Sequence, residues 1–182
     1  MSRMKEAETL LKKYYGYRSF KPIQQKAIES VLNGQDTFVV MPTGGGKSLC
    51  YQIPALMLEG MTLVVSPLIS LMKDQVDQLL RLGISAACMN SMLDEVQYQA
   101  LRAQVLRGEI KILYVAPERL RSGEFLSVLR KQKISLVAVD EAHCVSQWGH
   151  DFRPSYLRIV DFIAKLPRRP IISAFTATAT SD

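Results

Sequence analysis

Two short stretches carry residues whose types and spacing could do chemistry together. ISLVAVDEAH is an apolar run that ends in adjacent carboxylates, Asp140 and Glu141, and FVVMPTGGGKS runs from a β-prone segment through three glycines into Lys47 and Ser48. The pair suits phosphoryl transfer to water. After Thr43, the glycines Gly44, Gly45 and Gly46 let the backbone approach closely and aim N–H groups at an anion. Lys47 supplies a point charge for the β- and γ-phosphates of a nucleotide, and Ser48 a hydroxyl ligand for Mg²⁺. The amino terminus of the following helix adds its dipole. The strict phosphate-loop pattern has a glycine six residues before the lysine, where this chain has Met41. A strand before, a helix after and an intact TGGGKS supply the context that this one position lacks. Asp140 is placed to hold the hydration shell of Mg²⁺, and Glu141 to orient and deprotonate the attacking water. A glycine turn beside a surface lysine, or a solvated Asp-Glu turn, explains either stretch alone. Both at strand ends of one sheet signal a nucleoside triphosphatase.

The residues that follow the carboxylates, HCVSQWGHDFRP, are richer in chemistry than a turn requires. A zinc site would need His143, Cys144 and His150. His143 and Cys144 are adjacent, so their side chains tend to diverge, and no fourth ligand is evident. Burial in a core is an alternative for Phe152 and for Trp148, the single tryptophan. Gly149 beside Trp148 suggests a loop in place of a packed helix. An exposed tryptophan can stack on a base, worth about 1–3 kcal/mol, and Arg153 can pair with phosphate or with Asp151.

The elements that must position these residues are legible as alternation. Strands are expected at 37–41, 62–66, 85–89, 110–116, 135–140 and 171–175, several of them apolar on both faces. Helices are expected at 23–32, 47–58, 68–82, 95–107 and 125–132. In the first of these Ile23, Ala27, Ile28, Val31 and Leu32 fall on one face, and Asn33-Gly34 ends it. Pro54 is expected to kink or shorten the second. Strand–helix alternation implies an α/β fold around a mostly parallel sheet, with ligands beyond the carboxyl ends of the strands.

With 182 residues, 48% hydrophobic and 22% charged, the chain fits one globular domain able to bury a core. Its net charge of +6 suits a polyanionic partner. Cys50, Cys88 and Cys144 are odd in number and widely spaced. They argue against a disulfide framework and fit a reducing, cytoplasmic setting. The amino terminus MSRMKEAETLLKKYY is charged and amphipathic, without a secretory apolar core. The apolar run 61–72 is too short to span a bilayer and contains Pro67.

The motifs, taken together, resemble those of the RecQ family of superfamily 2 helicases over almost the whole chain. MPTGGGKSLCYQIPAL resembles the family's motif I, VVSPLISLMKDQV motif Ia, and YVAPERL motif Ib. VDEAHCVSQWGHDFRP resembles motif II with its aromatic-rich loop, and SAFTATAT motif III. The resemblance implies a RecA-like P-loop NTPase fold, a three-layer sandwich, with ATP and Mg²⁺ as cofactors. It also implies 3′-to-5′ unwinding of single-stranded and partly duplex DNA in repair and recombination. YGYRSFKPIQQ resembles the adenine-recognition motif. There Gln24 would pair with the adenine amino group and N7, and Tyr17 or the Lys21 stem would cover the base. Lysine at position 21 and isoleucine at 23, where many relatives carry arginine and glycine, imply looser selectivity.

By the same resemblance Ser66, Pro67, Pro117, Glu118 and Arg119 line the track for the single-stranded backbone. From the residues alone, these read first as strand-to-helix turns, with Glu118 and Arg119 as a local ion pair. Thr176 and Thr178 would bond the acidic motif and report the γ-phosphate to the track. The aromatic loop would couple DNA binding to hydrolysis, with His143 and His150 as polar relays. The resemblance implies that residues 1–182 are the first motor domain. A second motor domain with an arginine finger, and a region contacting a single-stranded-DNA-binding protein, would then lie beyond Asp182. Such a domain alone is expected to bind ATP weakly and hydrolyse it slowly. An RNA helicase motor domain of the DEAD/DEAH type and a non-catalytic nucleotide- or DNA-binding module are the alternatives.

Overall fold

The central strands are too apolar to sit at a surface, and helices flank them on both sides. The computed structural model describes residues 1–42, 46–145 and 153–177. The strands are β1 (Thr37–Val40), β2 (Met61–Val65), β3 (Ala86–Met89), β4 (Ile112–Val115), β5 (Ile134–Val139) and β6 (Ile171–Thr176). They form one sheet in the order β1-β6-β5-β2-β4-β3, with every pair parallel. Every residue of β2 and β4 is buried, as expected of parallel strands covered on both faces.

The period of two along each strand divides the core. On one face Val64, Tyr114, Leu136, Ala138 and Phe175 pack against α2 (Pro22–Leu32), α3 (Leu49–Met57) and α4 (Ile69–Arg81). On the other, Leu63, Val65, Leu113, Val137 and Val139 pack against α5 (Glu95–Leu106), α6 (Gly123–Arg130) and α7 (Arg158–Ala164). The three-layer α/β sandwich is therefore present. A further layer, α1 (Arg3–Leu10) and a π-helical turn at Leu11–Tyr15, seals the outside of α2 and α3 through Ala7, Leu11, Ile28, Leu32 and Ile53. No helix among the described residues is long and apolar enough to cross a membrane.

Three local features bear on the expected helices. Ile23 is not on the buried face of α2 but 41% exposed. The buried position of that first turn belongs to Gln24, whose amide is held by hydrogen bonds. Pro54 lies inside α3 without ending it, and the backbone N–H of Leu58 still bonds the Pro54 carbonyl at 2.9 Å. Helix α7, unmarked in the sequence, forms because Ile159 and Phe162 fall three apart and are buried.

Gly60, entering β2, has φ +91°, and a Cβ there would lie 2.5 Å from the Lys133 carbonyl oxygen. Gly108 has φ +70° with nothing within 4 Å of such a Cβ. Alanine at either site carries left-handed strain of about 1–2 kcal/mol. Gly60→Ala is therefore expected to lose clearly more stability than Gly108→Ala in urea unfolding. Equal losses would contradict the packing at the entry to β2.

Candidate functional site

Strands β1 and β5 are separated only by β6, so the loops that follow them open side by side at the carboxyl edge of the sheet. Two strand spacings are about 10 Å, and Lys47 spans the gap. Its Nζ lies 3.5 Å from Asp140 Oδ1 and 3.8 Å from Glu141 Oε1, with all three side chains largely buried. Asp140 extends the β5–β2 ladder by donating its N–H to the Val65 carbonyl at 2.9 Å. Its Oδ1 accepts the Glu141 N–H at 2.9 Å, and its carbonyl accepts the Tyr156 hydroxyl at 2.8 Å. Glu141 has φ 54° and is the one non-glycine residue with positive φ among those described. A bulky residue held in that region marks a site where the surroundings impose the conformation. His143 joins the acidic pair to β6: its Nδ1 lies 3.4 Å from Glu141 Oε2 and 3.0 Å from Thr176 Oγ1.

On the other side of the gap, Gly46 has φ +81°, and a Cβ there would collide with the Gln24 side chain. That close approach is used: Gln24 Nε2 donates to the Gly46 carbonyl at 3.1 Å, while Gln24 Oε1 accepts the Lys21 N–H at 2.9 Å. Gln24, at the start of α2, is thereby tied to the end of the phosphate loop. Gly46, Lys47, Ser48, Ser66, Asp140 and Glu141 line one cavity of about 360 Å³, walled by Tyr51, Tyr114 and Gln75. The hydroxyl of Ser66 is buried there without a hydrogen-bond partner among the described residues. A hydroxyl, a carboxylate and an ammonium around one cavity fit a Mg²⁺–triphosphate group, since Mg²⁺ takes hard oxygen ligands and keeps several waters.

Beneath this cavity lies a polar network that sequence patterning does not reveal. Gln52 of α3, 3% exposed, donates to Tyr114 Oη at 3.1 Å and Gln75 Oε1 at 3.0 Å, and accepts from Tyr15 Oη at 2.7 Å. Tyr51 Oη is 3.1 Å from Tyr114 Oη. The helix that leaves the phosphate loop is thus bonded to β4, to α4 and to the amino-terminal layer. The only signal in the sequence is the polar Gln52 within an otherwise apolar helix face.

The remaining candidates are spread more widely along the carboxyl edge. Tyr17, 59% exposed, lines a separate cleft of about 300 Å³ with Tyr14, Tyr15 and Arg81. Lys21 is exposed, Pro67 half-buried, Pro117 buried and Glu118 exposed. Arg119 does not close a local ion pair. It donates to the Asn90 carbonyl at 2.8 Å and lies over the Tyr98 ring at 5.9 Å, bracing β3 against α5. Arg153 is exposed, and its N–H bonds the Cys144 carbonyl at 3.0 Å. Thr43, Gly44, Gly45, Trp148, His150, Phe152 and Thr178 lie outside the described residues.

Burial raises the hydroxyl pKa values of Tyr15, Tyr51 and Tyr156 and pushes Tyr114 up to about 12. In the unfolded chain these groups ionise near 10. Their neutral forms therefore favour the fold below pH 10, and that stability is lost as pH rises from 10 towards 12. Each such tyrosine steepens the loss by about 1.4 kcal/mol per pH unit. Tyr114→Phe should remove one proton's worth of this slope in urea unfolding between pH 10 and 11.5. An unchanged slope would contradict the burial of that hydroxyl.

With this geometry the comparisons with known proteins agree. The DEAD/DEAH box helicase family model matches residues 21–182. ATP-dependent DNA helicase RecQ of Haemophilus influenzae is 51% identical over 173 residues, covering 95% of this chain and 28% of that protein. RecQ of Bacillus subtilis is 52% identical over 177 residues, covering 97% of this chain and 30% of that protein. The chain thus spans under a third of the length of these curated relatives. The crystal structure of a hypothetical ATP-dependent RNA helicase from Sulfolobus tokodaii superposes with a TM-score of 0.72 at 26% identity, covering 95% of this chain and 50% of that one. Helicase Lhr of Mycobacterium smegmatis, bound to ssDNA and AMP-PNP, shares the fold with a TM-score of 0.71 at 22% identity, covering 98% of this chain and 25% of that one. A phosphate loop and an acidic pair meeting across one intervening strand are what such a family requires, and the chain belongs to the DEAD/DEAH box helicase family, with sequence relatives among the RecQ DNA helicases.

Proposed function

We propose that residues 1–182 form the first RecA-like motor domain of a RecQ-type DNA helicase that couples ATP hydrolysis to 3′-to-5′ unwinding. The observation that carries this reading is the reach of Lys47 from the phosphate loop to Asp140 and Glu141 at 3.5 and 3.8 Å. About 50% identity to two bacterial RecQ helicases, against 26% to an RNA helicase homologue, favours DNA over RNA as the substrate.

In this reading the Lys47 ammonium meets the β- and γ-phosphate oxygens of ATP, and the loop's N–H groups hold the remaining charge. Mg²⁺, held through Ser48 and Asp140, would supply charge neutralisation on the same oxygens. Glu141 accepts a proton from the attacking water. Its carboxylate is aimed by the positive φ of its own backbone and by His143, which Thr176 holds in turn. Because Thr176 ends β6, between the phosphate loop and the acidic pair, a change at the γ-phosphate can pass through Thr176 and His143 to the loop that follows. Trp148, Phe152 and Arg153 in that loop would contact DNA, and Gln24 would read adenine while steadying Gly46.

In the full-length helicase, Glu141→Gln is expected to lower ATP hydrolysis by at least about 100-fold while leaving ATP binding largely intact, measured by phosphate release and by titration of a fluorescent ATP analogue. Hydrolysis surviving at the parent rate would remove Glu141 as the base. Trp148→Ala should lower DNA-stimulated hydrolysis by about fivefold or more, the counterpart of losing one base stack, and lower the DNA-free rate less. Equal losses in both rates would assign Trp148 to packing. Comparing DNA with RNA as activators decides between the two helicase classes.

A further inference from the structure

The amino-terminal edge of the sheet, remote from the phosphate loop, carries a concentration of positive charge that the motor site does not use. Arg130, Lys131 and Lys133 precede β5, and Lys165, Arg168 and Arg169 precede β6. Because β5 and β6 are paired neighbours, with Leu136 opposite Ile171, the two segments lie side by side. Arg130 Nε donates to the Lys165 carbonyl at 2.9 Å and ties them together. Between them is a concavity of about 250 Å³ lined by Arg130, Lys133, Arg168 and Gln132 over Ile134 and Leu166, with no carboxylate in its lining.

Helix chemistry explains part of this charge. Arg130 ends α6, and Lys131 and Lys165 follow the ends of α6 and α7, where cations meet exposed carbonyls favourably. Lys133, Arg168 and Arg169 lie beyond the helix ends, so the dipole does not account for them. Two of the six cations are paired, Lys133 with Glu59 at 3.0 Å and Arg169 with Asp36 at 2.5 Å. Glu59 is 86% exposed, so its pair is open to exchange with an incoming anion. Among the described residues, Lys131, Lys165 and Arg168 form no ion pair.

We propose that this patch is a second, sequence-independent docking site for the phosphodiester backbone of DNA. Arginine forks and flexible lysines around a shallow concavity match phosphate oxygens. A protein partner fits less well, because lysine is depleted at protein interface cores and the concavity exposes no large apolar anchor. The choice of DNA as the polyanion rests on the helicase reading above. Strand β5 is six residues long, so the patch stands about 20 Å from the acidic pair. It therefore meets a different stretch of the substrate from the one on the motor track.

The test uses the triple variant Lys131→Gln, Lys165→Gln, Arg168→Gln, which alters exposed side chains only. Binding of a labelled partly duplex DNA is followed by fluorescence anisotropy over a salt series, with ATP-analogue binding measured in parallel. The site predicts about tenfold or greater loss of DNA affinity near 50 mM salt and a log K–log salt slope shallower by about 2–3, with nucleotide affinity unchanged. Unchanged DNA affinity and slope overturn it, as does an absence of salt-dependent DNA binding by the parent chain. Binding of polyglutamate as tightly as DNA, lost in the same variant, overturns the assignment in favour of an acidic protein ligand. Patch-dependent DNA binding by a chain that binds no ATP would sustain the docking site and remove the motor reading.

Discussion

Strand β6 lies between β1 and β5, and this placement sets the site. It holds the phosphate loop and the acidic pair two strand spacings apart, about 10 Å. Closer, the loops would close the cavity between them; further, no side chain would join them. Lys47 is long enough to reach both carboxylates, and β6 contributes Thr176 at the midpoint, bonded to His143 at 3.0 Å. The parallel arrangement follows from helices covering both faces, so the catalytic geometry depends on the same apolar pattern that builds the core.

The site is supported from below as well as from the sides. Gln52 and Tyr114 sit beneath the cavity floor and bond α3 to α4 and β4. A buried hydrogen-bonded network of this kind rigidifies its surroundings. It fixes the helix that starts at the phosphate loop relative to the loop after β2, where Ser66 lines the same cavity. At the rim, Gln24 holds Gly46 from above. Lys47 thus projects from a loop end held on several sides.

Much of this was legible in the residues because central parallel strands read as unbroken apolar runs, and MTLVV and ISLVAV are buried almost throughout. The acidic pair and the phosphate loop were legible because their chemistry is local in sequence. What escaped is tertiary. Nothing in YQIP shows that Gln52 will meet Gln75 and Tyr114, and nothing in DEAH shows that Glu141 takes φ 54°. At the face of α2 the pattern favours Ile23 because periodicity weighs hydrophobicity alone, whereas hydrogen bonds bury Gln24 there. Arg119, next to Glu118, suggested a local pair, but its partner is a strand-end carbonyl at Asn90, 29 residues away in sequence.

The central claim is that Lys47, Asp140 and Ser48 form one Mg²⁺–triphosphate site across β6. The most direct measurement is ATP affinity by calorimetry, with and without Mg²⁺, for the parent chain and for Asp140→Asn. The account predicts that Mg²⁺ tightens ATP binding to the parent chain and that this gain is lost in the variant. A gain of equal size in both proteins would contradict it.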